Sequence, residues 1–103
     1  MNQNEKIELS ERRREFRKLA KRIEKIIKDE IRRQDLIQTG NMLRSIKCKV
    51  SEGSMQQMDV NIDAIDYFKY VNGNFNVVRN AFNTAEYQAV LIDFRRFINK
   101  YYR

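Results

Sequence analysis

The chain has 103 residues, 42% of them hydrophobic and 34% charged, with a formal net charge of +7; this size fits one domain with a modest core. It contains no His and one Cys, which excludes histidine general bases, Ser-His and Cys-His nucleophile pairs, His-containing zinc sites, an intrachain disulfide and Cys-rich metal frameworks. Carboxylate-metal chemistry, binding and structural assembly remain open. No apolar run reaches the ~20 residues that span a bilayer, the longest being Ala89-Val90-Leu91-Ile92, and the opening residues lack the apolar core of a signal peptide. The expectation is a chain made in the cytoplasm, with no membrane partner, in which Cys48 serves as a small apolar residue.

Charge is concentrated near the N-terminus. From Glu11 to Arg33 there are eleven Lys or Arg residues and five acids, so +6 of the total lies on this segment and the remainder is close to neutral. Phe16, Leu19, Ile23, Ile26, Ile27 and Ile31 recur at three- and four-residue intervals with no Gly or Pro from Asn2 to Thr39, the pattern of an amphipathic helix. On the opposite side, Arg14, Lys18, Lys21, Lys25, Lys28 and Arg32 form a cationic ridge with no acid among them. Repulsion along it costs about 1–2.5 kcal/mol at low salt, offset in part by pairs such as Glu24 with Lys28 and Asp29 with Arg32 or Arg33. The ridge reads either as a solvated face or as a surface for nucleic acid or an acidic neighbouring subunit. Arg12 and Arg13 fall near the extrapolated apolar face, so the packed helix is expected from about Glu15, with residues 1–10 as a flexible tail ordered by a partner.

The segment Gln38-Thr39-Gly40 is expected to break this helix, and Thr39 to cap a short turn with Leu43 and Ile46 on one side. Strict alternation in Ile46-Lys47-Cys48-Lys49-Val50 and in Met58-Asp59-Val60-Asn61-Ile62 predicts two antiparallel strands, with Ser51-Glu52-Gly53-Ser54 as the turn. Asp63 can cap a short helix through Tyr70, ended by a tight turn at Asn72-Gly73-Asn74 where positive φ is cheap. A C-terminal helix is expected from near Thr84, with Glu86 in its first turn and Tyr87, Val90, Leu91, Phe94, Phe97, Ile98 and Tyr101 along one face. These elements make a single α+β domain spanning residues 1–103: a long basic N-terminal helix, a small antiparallel sheet, a short helix and an amphipathic C-terminal helix.

Two chemical readings fail on spacing. Asp59-x-Asn61-x-Asp63 opens like a calcium loop, but Ala64 stands where the loop needs Gly and Tyr70 where it needs a bidentate Glu. Glu52, Asp59, Asp63 and Asp66 have no spacing that requires them to converge on Mg²⁺. No catalytic, cofactor-binding or metal residue is assigned, and no small-molecule substrate is expected. The aromatics Tyr67, Phe68, Tyr70 and Phe75 can stack on bases, but at this spacing they read first as core and subunit contact, with Tyr67, Tyr70 and Phe75 the candidate subunit contacts.

The segment Gln38-Thr39-Gly40-Asn41-Met42-Leu43-Arg44-Ser45-Ile46 resembles a motif of the head-tail joining and tail-completion proteins of long-tailed bacteriophages. The later order is also similar: a β-hairpin, then Tyr67-Phe68-Lys69-Tyr70-Val71-Asn72-Gly73, then a C-terminal helix entered through Ala81-Phe82. The correspondence runs from about Gln38 to Ile98, with the basic helix in the family's N-terminal helix position.

The resemblance implies a non-enzymatic structural protein of the virion neck, a closed homo-oligomeric ring that joins the tail to the DNA-filled head and encloses the DNA channel. Its implied partners are further copies of itself, the neighbouring portal or adaptor and tail proteins, and genomic DNA by non-specific proximity. The ridge would then face acidic patches of an adjacent ring, or the DNA path. The alternative is a small basic nucleic-acid-binding protein that uses the same ridge on phosphates.

Overall fold

The computed structural model describes residues 3–36 and 40–101, with side chains for residues 9–36 and 40–100. Its longest element, α1 (Gln3–Arg33), has 31 residues. At about 1.5 Å per residue it sets the longest dimension of the molecule, 49 Å. It begins at Gln3, within the segment expected to order against a partner. The predicted stripe is the packed face: Leu19, Ile23, Ile26, Ile27 and Ile31 are buried and Phe16 is half-buried, with Ala20 added. Removing each large aliphatic side chain from water contributes about 1.5–3 kcal/mol.

The helix stops earlier than the Thr39-Gly40 signal suggests. Asp35 adopts a left-handed φ of 53°, its N–H donates to Arg32 O at 3.0 Å, and the Leu36 N–H donates to Ile31 O at 3.3 Å. These two bonds form a Schellman stop, with Asp35 where Gly is usual and Leu36 packed back on the core beside Ile31. The cap expected from Thr39 lies outside the described residues. A short helix, α2 (Gly40–Ser45), buries Met42 and leads into Ile46, which is fully buried. The Ser45 hydroxyl donates to Met42 O at 2.7 Å and accepts the Ile65 N–H at 3.2 Å, so it ties α2 to a distant segment.

Strands β1 (Lys47–Glu52) and β2 (Met58–Asp63) pair antiparallel, with Cys48 opposite Ile62 and Val50 opposite Val60. The expected alternation holds: Cys48 and Val50 are buried, and Val60 and Ile62 pack against the core from half-buried positions. The turn lies later than expected, because Ser51 and Glu52 remain paired to Asp59 and Met58. It is closed by the Gly53 N–H donating to Gln57 O at 2.7 Å, around a 3-10 turn, Ser54–Gln56, in which Met55 and Gln56 both have positive φ. A Cβ at Gly53 would meet the Asp59 carboxylate, so any other residue there would have to turn that side chain aside.

The segment after β2 departs most from the sequence reading. Helix α3 (Asp66–Phe75) starts after Ile65 with no side-chain cap, while Asp63 remains in β2. It continues through Asn72-Gly73-Asn74, where a turn is expected, and the left-handed residue is Asn76 with a φ of 52°. Asn76 ends α3 and starts an unpredicted helix, α4 (Val77–Phe82). The side chain of Asn72 accepts the Val78 N–H at 2.8 Å, so a residue read as a turn former caps the next helix from inside the preceding one. Helix α5 (Ala85–Tyr101) follows, with Thr84 Oγ1 accepting the Tyr87 N–H at 3.2 Å as its cap. Tyr87, Val90, Phe94 and Ile98 are buried, and Leu91 and Phe97 are half-buried; the side chain of Tyr101 lies outside the described residues.

Helix α1 is the common partner of β1, α4 and α5. Phe16 stacks on Phe94 at 5.6 Å and meets Phe97 edge-on at 5.9 Å. The Arg22 guanidinium reaches Asp93 at 2.7 Å. The result is an α+β domain of a hairpin and four shorter helices built on the N-terminal helix, which packs directly against β1, α4 and α5. Gly73 offers a direct check: its φ is not positive and nothing lies within 4 Å of a Cβ built there. Gly73→Ala is expected to stabilise the protein by about 0.5–1 kcal/mol in denaturant melts; a tight turn at Gly73 would instead make it destabilising.

Candidate assembly interface

The cationic ridge exists as a surface, but it is not bare. Arg14, Lys18, Lys21, Lys25 and Arg32 are exposed and Lys28 is half-buried. Acids from the flanks of α1 fold onto four of the six: Lys18 pairs with Glu15 at 3.2 Å, Lys21 with Glu24 at 3.4 Å, Lys25 with Asp29 at 2.8 Å and Arg32 with Asp29 at 3.0 Å. Of the expected pairs, Asp29 with Arg32 is present, whereas Glu24 takes Lys21 in place of Lys28; Arg33 grips Glu30 at 2.6 Å. Each exposed pair contributes about 0.2–1 kcal/mol, enough to cancel much of the repulsion along the ridge. The hydrogen bond from Lys25 holds the Asp29 carboxyl below its ordinary value.

Two carboxylates of α1 are buried, which nothing in their spacing distinguishes from the exposed acids. Glu24 is 6% exposed and Glu30 is 5% exposed. The Glu30 carboxylate is held by two nitrogens of Arg33. Glu24 accepts the backbone N–H of Cys48 at 2.8 Å as well as the Lys21 ammonium. One oxygen thus satisfies the outer edge of β1 and the other meets a cation, the arrangement a buried charge needs.

The three candidate subunit contacts all lie on the surface around α3. Tyr67, Tyr70 and Phe75 are 40%, 66% and 46% exposed, while Phe68 and Val71 from the same helix are buried. Tyr67 and Tyr70 stack with ring centroids 6.5 Å apart. Phe75 stands apart from that stack, at the end of α3 where its carbonyl accepts the Gln34 side-chain N–H at 3.2 Å. Ile65, 42% exposed, adds an apolar side chain just ahead of α3 that the sequence reading did not single out.

Among the described residues no three His, Cys, Asp or Glu side chains come together in a way that could hold a metal. Asp59, Asn61 and Asp63 alternate along the exposed face of β2. No helix among the described residues is long and apolar enough to cross a membrane. Burial pushes the Cys48 thiol up to about 11, with the Glu24 carboxylate acting in the same direction. A thiol raised in the folded state favours folding fully below its ordinary value of 9.0, and that contribution is lost as the pH rises toward 11. The unfolding free energy is therefore expected to fall across this window in alkaline denaturant melts, and Cys48→Ala to flatten the fall.

The chain matches no protein-family model, no curated protein and no solved structure.

Proposed function

We propose that this chain is a structural subunit of the neck of a long-tailed bacteriophage virion, where copies close into a ring that joins the tail to the DNA-filled head. The support is the resemblance over residues 38–98, together with an element order of N-terminal helix, hairpin, tyrosine-bearing helix and C-terminal helix. The observation that carries it is the exposed Tyr67–Tyr70 stack on a helix held from behind by Phe68 and Val71. A ring needs a surface patch complementary to a different patch on the next copy, and aromatic side chains on a rigid helix supply large contact area at low entropic cost. The portal or adaptor and tail proteins are the neighbours of such a ring, genomic DNA passes through it, and no catalytic step is assigned to it.

The nucleic-acid alternative uses the ridge on α1. Phosphates would have to displace Glu15, Glu24 and Asp29 from Lys18, Lys21, Lys25 and Arg32, which weakens the surface as a phosphate track. Native mass spectrometry and electron microscopy of the purified chain, alone and with neighbouring neck proteins, are expected to show closed rings. Tyr70→Ala should weaken them sharply while leaving the unfolding free energy within about 0.5 kcal/mol, because the Tyr70 ring is 66% exposed. A chain that stays monomeric under all these conditions, yet binds duplex DNA at micromolar or tighter affinity with steep salt dependence, would overturn the neck assignment.

A further inference from the structure

A groove of about 470 Å³ runs between the N-terminal half of α1 and strand β1. Phe16, Ala20 and Val50 give it an apolar lining, and Arg13 and Arg17 from α1 with Lys47 and Lys49 from β1 add four cations to it. All four cations are exposed. None of them forms a salt bridge with a described residue. Glu24, the one carboxylate among the lining residues, is already engaged by Lys21 and by the Cys48 N–H.

This is the reverse of the ridge. There, acids pair with most of the cations; here, four cations from two elements line one groove, and its one carboxylate, Glu24, is already held by Lys21 and the Cys48 N–H. Arg13 and Arg17 are one helical turn apart and Lys47 and Lys49 point to the same side of β1, so each pair repels its own neighbour by a few tenths of a kcal/mol. A bound group that supplies negative charge removes that repulsion. The apolar lining adds a second requirement. A phosphate polymer brings charge without an aliphatic side chain to fill the groove, whereas an acidic polypeptide brings both.

We propose that this groove docks an acidic segment of a partner protein, with carboxylates on Arg13, Arg17, Lys47 and Lys49 and an apolar side chain seated between Phe16 and Val50. The inference goes beyond the neck assignment and stands without it. The probe is a fluorescein-labelled ten-residue peptide of glutamate with two leucines, titrated against the full-length chain at low salt and followed by anisotropy. Backbone amide shifts should move at residues 13–20 and 47–50. Arg17→Glu with Lys49→Glu should weaken binding about tenfold or more, and replacing the peptide's glutamates by glutamine should do the same. Lys18→Gln with Lys25→Gln on the ridge should change it less than about twofold. The variants alter exposed side chains, and matching thermal melts verify that they fold.

Three results would each overturn the proposal. One is no peptide binding up to millimolar concentration. A second is binding that a folded Arg17→Glu, Lys49→Glu variant retains in full. The third is displacement of the peptide by duplex DNA or by phosphatidylglycerol vesicles at matched charge, which would assign the groove to phosphate.

Discussion

The apolar stripe of α1 is the surface on which the rest of the molecule depends. A two-stranded hairpin is marginal on its own, and α2 and α4, at six residues each, are too short to hold a helical state without packing. Ile23, Ile27 and Ile31 are fully buried because β1, α4 and α5 all close over the same helix. The aromatic end of the stripe, Phe16 against Phe94 and Phe97, locks the first and last helices together. Loss of α1 would leave β1, α4 and α5 with open apolar faces.

Glu24 shows how a charge can be part of that same interface. An edge strand exposes backbone groups that invite pairing with another chain, and β1 has only one strand partner. The Glu24 carboxylate covers the Cys48 N–H on the outer edge, while Lys21 balances its charge from solvent. The same contact raises the cost of ionising Cys48, after the larger effect of its burial. A helix that would otherwise meet the strand only through aliphatic side chains is thereby set in register with it: Glu24 lies at Cys48, and Arg12 reaches Glu52 at the far end of the strand.

Positive charge on this protein has two distinct settings. Along the ridge, lysines alternate with acids one turn away and are largely neutralised within α1 itself. Around the α1–β1 groove, the cations come from different elements, and the one carboxylate in its lining, Glu24, is taken by Lys21 and the Cys48 N–H. Net charge alone does not separate these cases, since what counts for a partner is the charge left after the intrahelical pairs have formed. The aromatic surface around α3 is a third feature, a Tyr67–Tyr70 stack flanked by the exposed Asp66–Lys69 pair. A cationic groove and an aromatic helix face are chemically different surfaces.

Much of the fold was legible in the sequence because periodicity reports burial directly. The six-residue stripe of α1, the alternation of β1 and β2, and the broad face of α5 each repeat at the period of the element they belong to, and each is packed as that period implies. The ends of elements were less legible, since they depend on single backbone conformations. Asp35 and Asn76 carry the left-handed turns, while Gly40 and Gly73, the residues that looked suited to them, sit inside helices. Asn72 likewise looked like a turn residue, and only the presence of α4 beside it turned its side chain into a cap.

For the functional surfaces the division is similar. Sequence alone determined that one helix holds most of the net charge, that Tyr67, Tyr70 and Phe75 are candidates for contact, and that histidine chemistry is absent. Tertiary structure decided that Tyr67 and Tyr70 stack while Phe75 stands apart, and that Arg13 and Arg17 share a groove with Lys47 and Lys49. The physical reason is range. Helical and strand periods act over a few residues and are written locally, whereas the groove joins residues some thirty positions apart in sequence, which come together only when α1 and β1 bury their apolar faces against each other.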